Sequence, residues 1–173
     1  MNAVPLCSRQ LFTVRPVDEV LTGRLRVVLD TNVWLDWLVF DDPTMAPIRA
    51  SVAAGRAELF IDEPCAAELA RVLTRKLGRR TLDPAAQAAA LAECRRVARP
   101  IEPTDDPVEL PKCRDTDDQK FLEAAACARA DVLITKDRAL LDLARRRTKP
   151  PPFLIVTPEA FAASPPDKGA ASF

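Results

Sequence analysis

Four short apolar runs recur along the chain at intervals too wide for hairpins: LRVVL (25–29), AELFI (57–61), DVLIT (131–135) and FLIVT (153–157). Each is dominated by Leu, Val, Ile or Phe and lacks the strict polar alternation of a half-exposed strand, so each predicts a strand buried on both faces. Segments with helical periodicity separate them, and strands joined through helices pair in parallel. The expected fold class is therefore α/β: a three-layer α/β/α domain with a small parallel sheet flanked by helices. In such sheets ligands bind beyond the carboxyl ends of the strands. The residues just after each run are the ones that matter for function.

The connecting segments supply their own boundaries. Helices are expected over NVWLDWLV (32–39) and over PTMAPIRASVAAG (43–55), which opens on a proline and closes on Gly55. In EPCAAELARVLTRKLG (63–78), Leu69, Val72, Leu73 and Leu77 form an apolar stripe and Gly78 is the expected stop. DPAAQAAALAECRRVA (83–98) has Asp83 as cap and Pro84 at the first helical position. Helices are also expected over DTDDQKFLEAAACARA (115–130) and DRALLDLARRR (137–147). The proline-rich stretch 99–115 reads as a loop with room for one short strand. These elements make one domain over 25–163, preceded by a partly disordered extension (1–24) and followed by a flexible tail (164–173).

The chain has no histidine, which excludes Ser-His-Asp and Cys-His catalysis, His-ligated zinc and His general bases. Five scattered cysteines (Cys7, Cys65, Cys94, Cys113, Cys127) form no C-x-x-C pair, so they are expected to be small core residues in a reducing cytoplasm. No apolar run approaches the ~18 residues of a membrane span, and the N-terminus has no secretory pattern. Net charge is zero, so any nucleic-acid contact must come from a local patch.

Carboxylates recur where ligands should bind. Asp30 directly follows the first strand, and Asp137 follows DVLIT with only Lys136 between. Each alone is explained as a helix N-cap. Glu68 lies one turn into its helix at the edge of the apolar stripe, where a surface pair with Arg71 is the plain alternative. Asp118 shares a helical face with Phe121, Leu122 and Ala125, and Asp115 and Asp117 flank it. One helix start does not need three acids, although the dipole favours them. Two carboxylates about 4 Å apart repel by roughly 4 kcal/mol at an effective dielectric near 20. Four on one rim call for a cation, and an all-oxygen donor set selects Mg²⁺ or Mn²⁺. Such a site is suited to attack on a phosphodiester.

In order and spacing, VVLDTNVWLD, AAELARVL, CRDTDDQKFLEAA and DVLITKDRALL resemble the motifs of PIN-domain ribonucleases, most closely the toxin branch of toxin–antitoxin pairs. The resemblance covers about residues 26–157. It implies a PIN-like domain that cleaves single-stranded RNA with a divalent metal, a cognate antitoxin protein, and a homodimer. By motif position Asp30, Glu68, Asp118 and Asp137 would be the catalytic acids, with Asp30, Asp118, Asp137 and Asp115 as metal ligands. Thr31 and Asn32 would brace the loop of Asp30, and Thr135 would orient ligand or substrate. Two departures stand out: Gln119 occupies a position where the family usually has Asp or Asn, and Lys136 replaces a common glycine. RNA would be steered by Arg71, Arg75, Lys76 and Arg79, together with Arg80, read as continuing the Glu68 helix, and by Lys136. Arg145, Arg146 and Arg147 form a second basic end.

Two competing functions follow from the same residues. LDTNV resembles the start of haloacid-dehalogenase-type phosphatases, but Asn32 stands in place of their second Asp and the Glu68 helix would have no role. Gln119 also fits a PIN-like RNA- or protein-binding module that no longer catalyses.

Overall fold

The computed structural model describes residues 23–102, 108–146 and 148–163. Most of the expected extension (1–22, with Cys7), part of the proline-rich loop (103–107), Arg147 and the expected tail (164–173) lie outside the described residues. Five strands, β1 (Leu25–Leu29), β2 (Ala57–Ile61), β3 (Ala98–Pro100), β4 (Val132–Ile134) and β5 (Leu154–Val156), form one sheet in the order β3-β2-β1-β4-β5. Every neighbouring pair is parallel. β1 and β4 are central and almost wholly buried, as their unbroken apolar sequences require. The three-layer α/β/α fold of the sequence reading is present.

Among the described residues seven α-helices cover the sheet: α1 (Thr31–Leu35), α2 (Ala46–Ala53), α3 (Glu63–Leu73), α4 (Pro84–Val97), α5 (Gln119–Cys127), α6 (Arg138–Ala144) and α7 (Pro158–Ala163). α5 packs on β1, β4 and α3, while α2 packs on β2 and α7. The chain runs from β1 outward through β2 to β3, then jumps to the other side of β1 to form β4 and β5. The direction of winding thus reverses between β1 and β4. That reversal opens a crevice at the carboxyl edge of these two strands.

Several boundaries differ from the sequence reading, each for a local reason. α1 does not continue regularly: residues Asp36–Phe40 form a π-helical segment that ends on Asp41 in the left-handed region (φ 49°). Trp34 and Trp37 are buried there, their rings tilted at 6.0 Å. α3 stops at Leu73, because the Thr74 hydroxyl donates to the Arg71 carbonyl and the chain turns away. Gly78 (φ 60°) serves a later turn, in which Leu77 and Arg80 exchange backbone hydrogen bonds. Arg75, Lys76, Arg79 and Arg80 therefore do not extend the Glu68 helix. α5 begins at Gln119 and not at 115, since Asp115 Oδ1 accepts from the Asp117 N–H and folds 115–118 into a turn. It ends where Arg129 turns left-handed (φ 47°) and the Ala130 N–H reaches back to the Ala125 carbonyl. α7 had no counterpart in the sequence reading.

Cys65, Cys94 and Cys113 are buried free thiols, and burial pushes the Cys94 thiol up to about 12. Leu133, at the middle of β4, is fully buried beneath the crevice. Leu133→Ala is expected to destabilise the protein by about 3 kcal/mol in urea unfolding, the usual cost of an unfilled core site; a change below about 1 kcal/mol would contradict this packing.

Candidate active site

Asp30 sits where β1 runs out and is only 2% exposed. Its Oδ1 accepts from the Val33 N–H at 2.9 Å, capping α1. Its Oδ2 accepts from the Thr135 hydroxyl and, at 3.3 Å, from the Lys136 N–H. The Asp30 N–H continues the sheet to the Ile134 carbonyl at 3.1 Å. One carboxylate thus fastens the end of β1 to the end of β4. Burial pushes the Asp30 carboxyl above its ordinary value, against hydrogen bonds from Thr135 and from the N–H groups of Val33, Lys136 and Asn32.

Thr135 is fully buried and carries two bonds: it donates to Asp30 and accepts from the Asp137 N–H at 2.9 Å. Asp137 in turn caps α6, its Oδ1 accepting from Ala139 and Leu140 at 2.7 and 3.1 Å. Thr31 donates to Glu68 Oε1 at 2.9 Å. Asn32 is exposed, and its backbone N–H is what bears on Asp30.

Asp118 behaves differently from these capping acids. It occupies the N-cap position of α5, yet its side chain makes no cap hydrogen bond. Its carboxyl is raised to about 6, first by burial and then by the negative charges of Asp137, Asp115 and Asp30, with Lys120 opposing. The like charges of three segments therefore fall on one half-buried group. Asp115 and Asp117 are exposed, and Asp115 is engaged in the turn described above.

Glu68 does not stand open to this cluster. Its Oε2 lies 2.5 Å from the Lys120 ammonium and 3.8 Å from Arg71. Lys120 belongs to the first turn of α5 and was missed in the sequence, where KF after a run of acids reads as an ordinary solvated face. Lys136 is turned away: its ammonium pairs with the buried Asp36 of the π segment. Burial alone would lower Lys136, but Asp36, then Asp42 and Glu159, hold it above its ordinary value. Gln119 also points elsewhere, accepting the Cys113 N–H at 2.8 Å and pinning the loop before α5. Arg75, Lys76 and Arg79 are exposed on the turn after α3, and Arg145 and Arg146 are exposed after α6.

A PIN domain family model matches residues 26–139, about two thirds of the chain. The chain belongs to the PIN-domain family. No curated protein and no solved structure matches it. The matched span carries Asp30, Glu68, Asp115, Asp118, Thr135 and Asp137, and the fold is of nuclease type.

Members of this family generally use divalent metal ions. Among the described residues, no three His, Cys, Asp or Glu side chains are grouped so as to hold a metal ion. The four-acid convergence read from sequence is thus looser than a closed cage. The donors still suit a hard cation. They are oxygens only, and Asp118 stands uncapped among like charges that a cation would relieve. Mg²⁺ usually retains several waters and takes only one or two carboxylates, so Asp118 with one neighbour would be enough to hold such an ion.

The pH dependence follows from Asp118. Its carboxyl ionises near 6 in the folded protein against an ordinary value of 3.8, so the folded state holds its proton longer. Stability contributed by the protonated group is present below about 4 and is lost as pH rises through 6. Asp118→Asn removes this term. Relative to the wild type, the metal-free variant should therefore gain stability between pH 4 and pH 7 in urea melts. An identical pH profile for both would contradict the charge cluster.

Proposed function

We propose that the chain is a divalent-cation-dependent endoribonuclease that cleaves single-stranded RNA, and the toxin of a toxin–antitoxin pair. The observation that supports it best is the uncapped Asp118, set among the charges of Asp30, Asp115 and Asp137 at the reversal point of the sheet. Mg²⁺ or Mn²⁺ would be held by Asp118 with Asp30, Asp137 or Asp115, and would supply charge neutralisation and an acidified water at the scissile phosphate. Thr135 fixes the rotamer of Asp30 and the backbone of Asp137, so both carboxylates keep their places without reorganisation. An ionised carboxylate of the cluster accepts the proton of the attacking water. The antitoxin and the homodimer belong to the same reading and rest on the motif resemblance, while a cytoplasmic setting rests on the scattered cysteines. Among the described residues no helix is long and apolar enough to cross a membrane.

A second reading, a PIN-like binding module without catalysis, is favoured by one feature: a lysine already neutralises Glu68. The haloacid-dehalogenase reading gains nothing, since Asn32 is exposed and offers no general acid.

The test uses a labelled single-stranded RNA panel with Mg²⁺, Mn²⁺ or EDTA. Asp118→Asn is the variant of choice, because it has no cap bond to lose, whereas Asp30→Asn disturbs the β1–β4 junction as well. Cleavage should require the metal and fall by roughly 10²-fold or more in Asp118→Asn. Cleavage that survives both EDTA and Asp118→Asn would remove this mechanism; Mn²⁺ and RNA binding with no cleavage by the wild type would favour the binding module.

A further inference from the structure

The site contains a cation, Lys120, paired with one of its acids. Lys120 brings its ammonium to within 2.5 Å of Glu68 Oε2, and it also donates to the Asp117 carbonyl. Its charge lies 5.0 Å from the Phe121 ring centroid. Glu68 is in turn held from its other side by the Thr31 hydroxyl at 2.9 Å. Both carboxylate oxygens of Glu68 therefore already have a partner.

An ammonium has three N–H donors. Two of those on Lys120 have partners, no third partner is found among the described residues, and the side chain is 20% exposed. The same positive charge acts on Asp118 against its negative neighbours. The other cations are less suited to act beside the acids. Lys136 faces Asp36, Asp42 and Glu159. Arg71 is 57% exposed at 3.8 Å from Glu68, and Arg75, Lys76 and Arg79 sit on a turn beyond α3.

We propose that Lys120, aimed by Glu68 and Thr31, contacts the phosphate of the bound RNA strand, and that Glu68 is a positioning residue and not a metal ligand. The proposal rests on the nuclease reading above. A phosphodiester undergoing hydrolysis gathers charge on its non-bridging oxygens. A preset ammonium stabilises that charge without reorganising. Glu68 supplies the presetting: it limits the rotamers of a flexible lysine stem and keeps the ammonium at the edge of the acid cluster.

The experiment compares wild type, Lys120→Met, Lys120→Arg and Glu68→Gln. Mn²⁺ binding is followed by calorimetry, RNA binding by anisotropy of a labelled single-stranded oligomer in Ca²⁺, and cleavage in Mg²⁺. Lys120→Met should weaken RNA binding about tenfold and reduce the slope of log K against log salt by about 0.7, the share of one phosphate contact on a single strand. Its Mn²⁺ affinity should stay level or tighten a few-fold, because a like charge has gone. Lys120→Arg should restore RNA binding to within about threefold, and Glu68→Gln should keep Mn²⁺ affinity within about threefold while lowering cleavage. A purely structural lysine would alter melting but not the salt slope. An unchanged slope in Lys120→Met overturns the proposal. So does a loss of more than about tenfold in Mn²⁺ affinity on Glu68→Gln, which would make Glu68 a ligand. If Lys120→Met does not fold, failure of Lys120→Arg to bind RNA alongside intact Mn²⁺ binding overturns it equally. A wild type that binds neither Mn²⁺ nor RNA overturns the nuclease reading itself, whereas a wild type that cleaves beside an unimpaired Lys120→Met overturns only the role of the lysine.

Discussion

The buried carboxylate of Asp30 is the constraint around which this molecule is arranged. A parallel sheet leaves backbone groups unpaired at the carboxyl ends of its strands, and a helix leaves its first N–H groups unpaired as well. Asp30 answers both needs at once, through Val33 in α1 and through Thr135 and Lys136 at the end of β4. Those bonds give both oxygens of a carboxyl at 2% exposure their partners, where an unpartnered polar group would be costly to bury. The junction fixes the spacing of β1 and β4, and with it the shape of the crevice.

Around that junction the acids divide by what holds them. Asp30 and Asp137 are tied to backbone donors of the helices they open. Glu68 is tied to a hydroxyl and an ammonium. Asp118 has neither kind of partner, and the negative charges of its neighbours act on it with only Lys120 opposing them. Electrostatic strain is thus concentrated on one side chain, at the start of a helix packed firmly on β1 and β4. Strain of this kind persists only where the surrounding packing over-determines the conformation, and the fully buried Leu122 and Ala125 provide that packing.

Much of the architecture was legible because it depends on patterns that short segments carry by themselves. LRVVL and AELFI are strands over the residues read from sequence, and Asp83 caps α4 with Pro84 in its first turn. What could not be read depends on particular side-chain contacts, some local and some distant in sequence. The early end of α3 is set by Thr74 and the turn after it, not by Gly78. Gln119 looked like a damaged ligand position but is a clamp on the Cys113 N–H. Lys136 looked like the cation of the site, and its direction is decided by Asp36, a buried residue in an irregular helix that periodicity reads as regular. Lys120 had no signal of its own, because its meaning comes from a glutamate 52 positions earlier, against which α5 is packed.

The contrast between capping and uncapped acids has an evolutionary side. A carboxylate that holds secondary structure together is retained by selection for folding, whether or not the protein still performs chemistry. Asp30 and Asp137 are of that kind, so their presence in a related chain would say little about whether it remains a working enzyme. Asp118 makes no cap bond and its carboxyl is raised by burial and like charges, so folding alone gives no reason to keep it. Loss of function in a lineage of such proteins would leave its earliest trace there, while the rest of the rim looked intact.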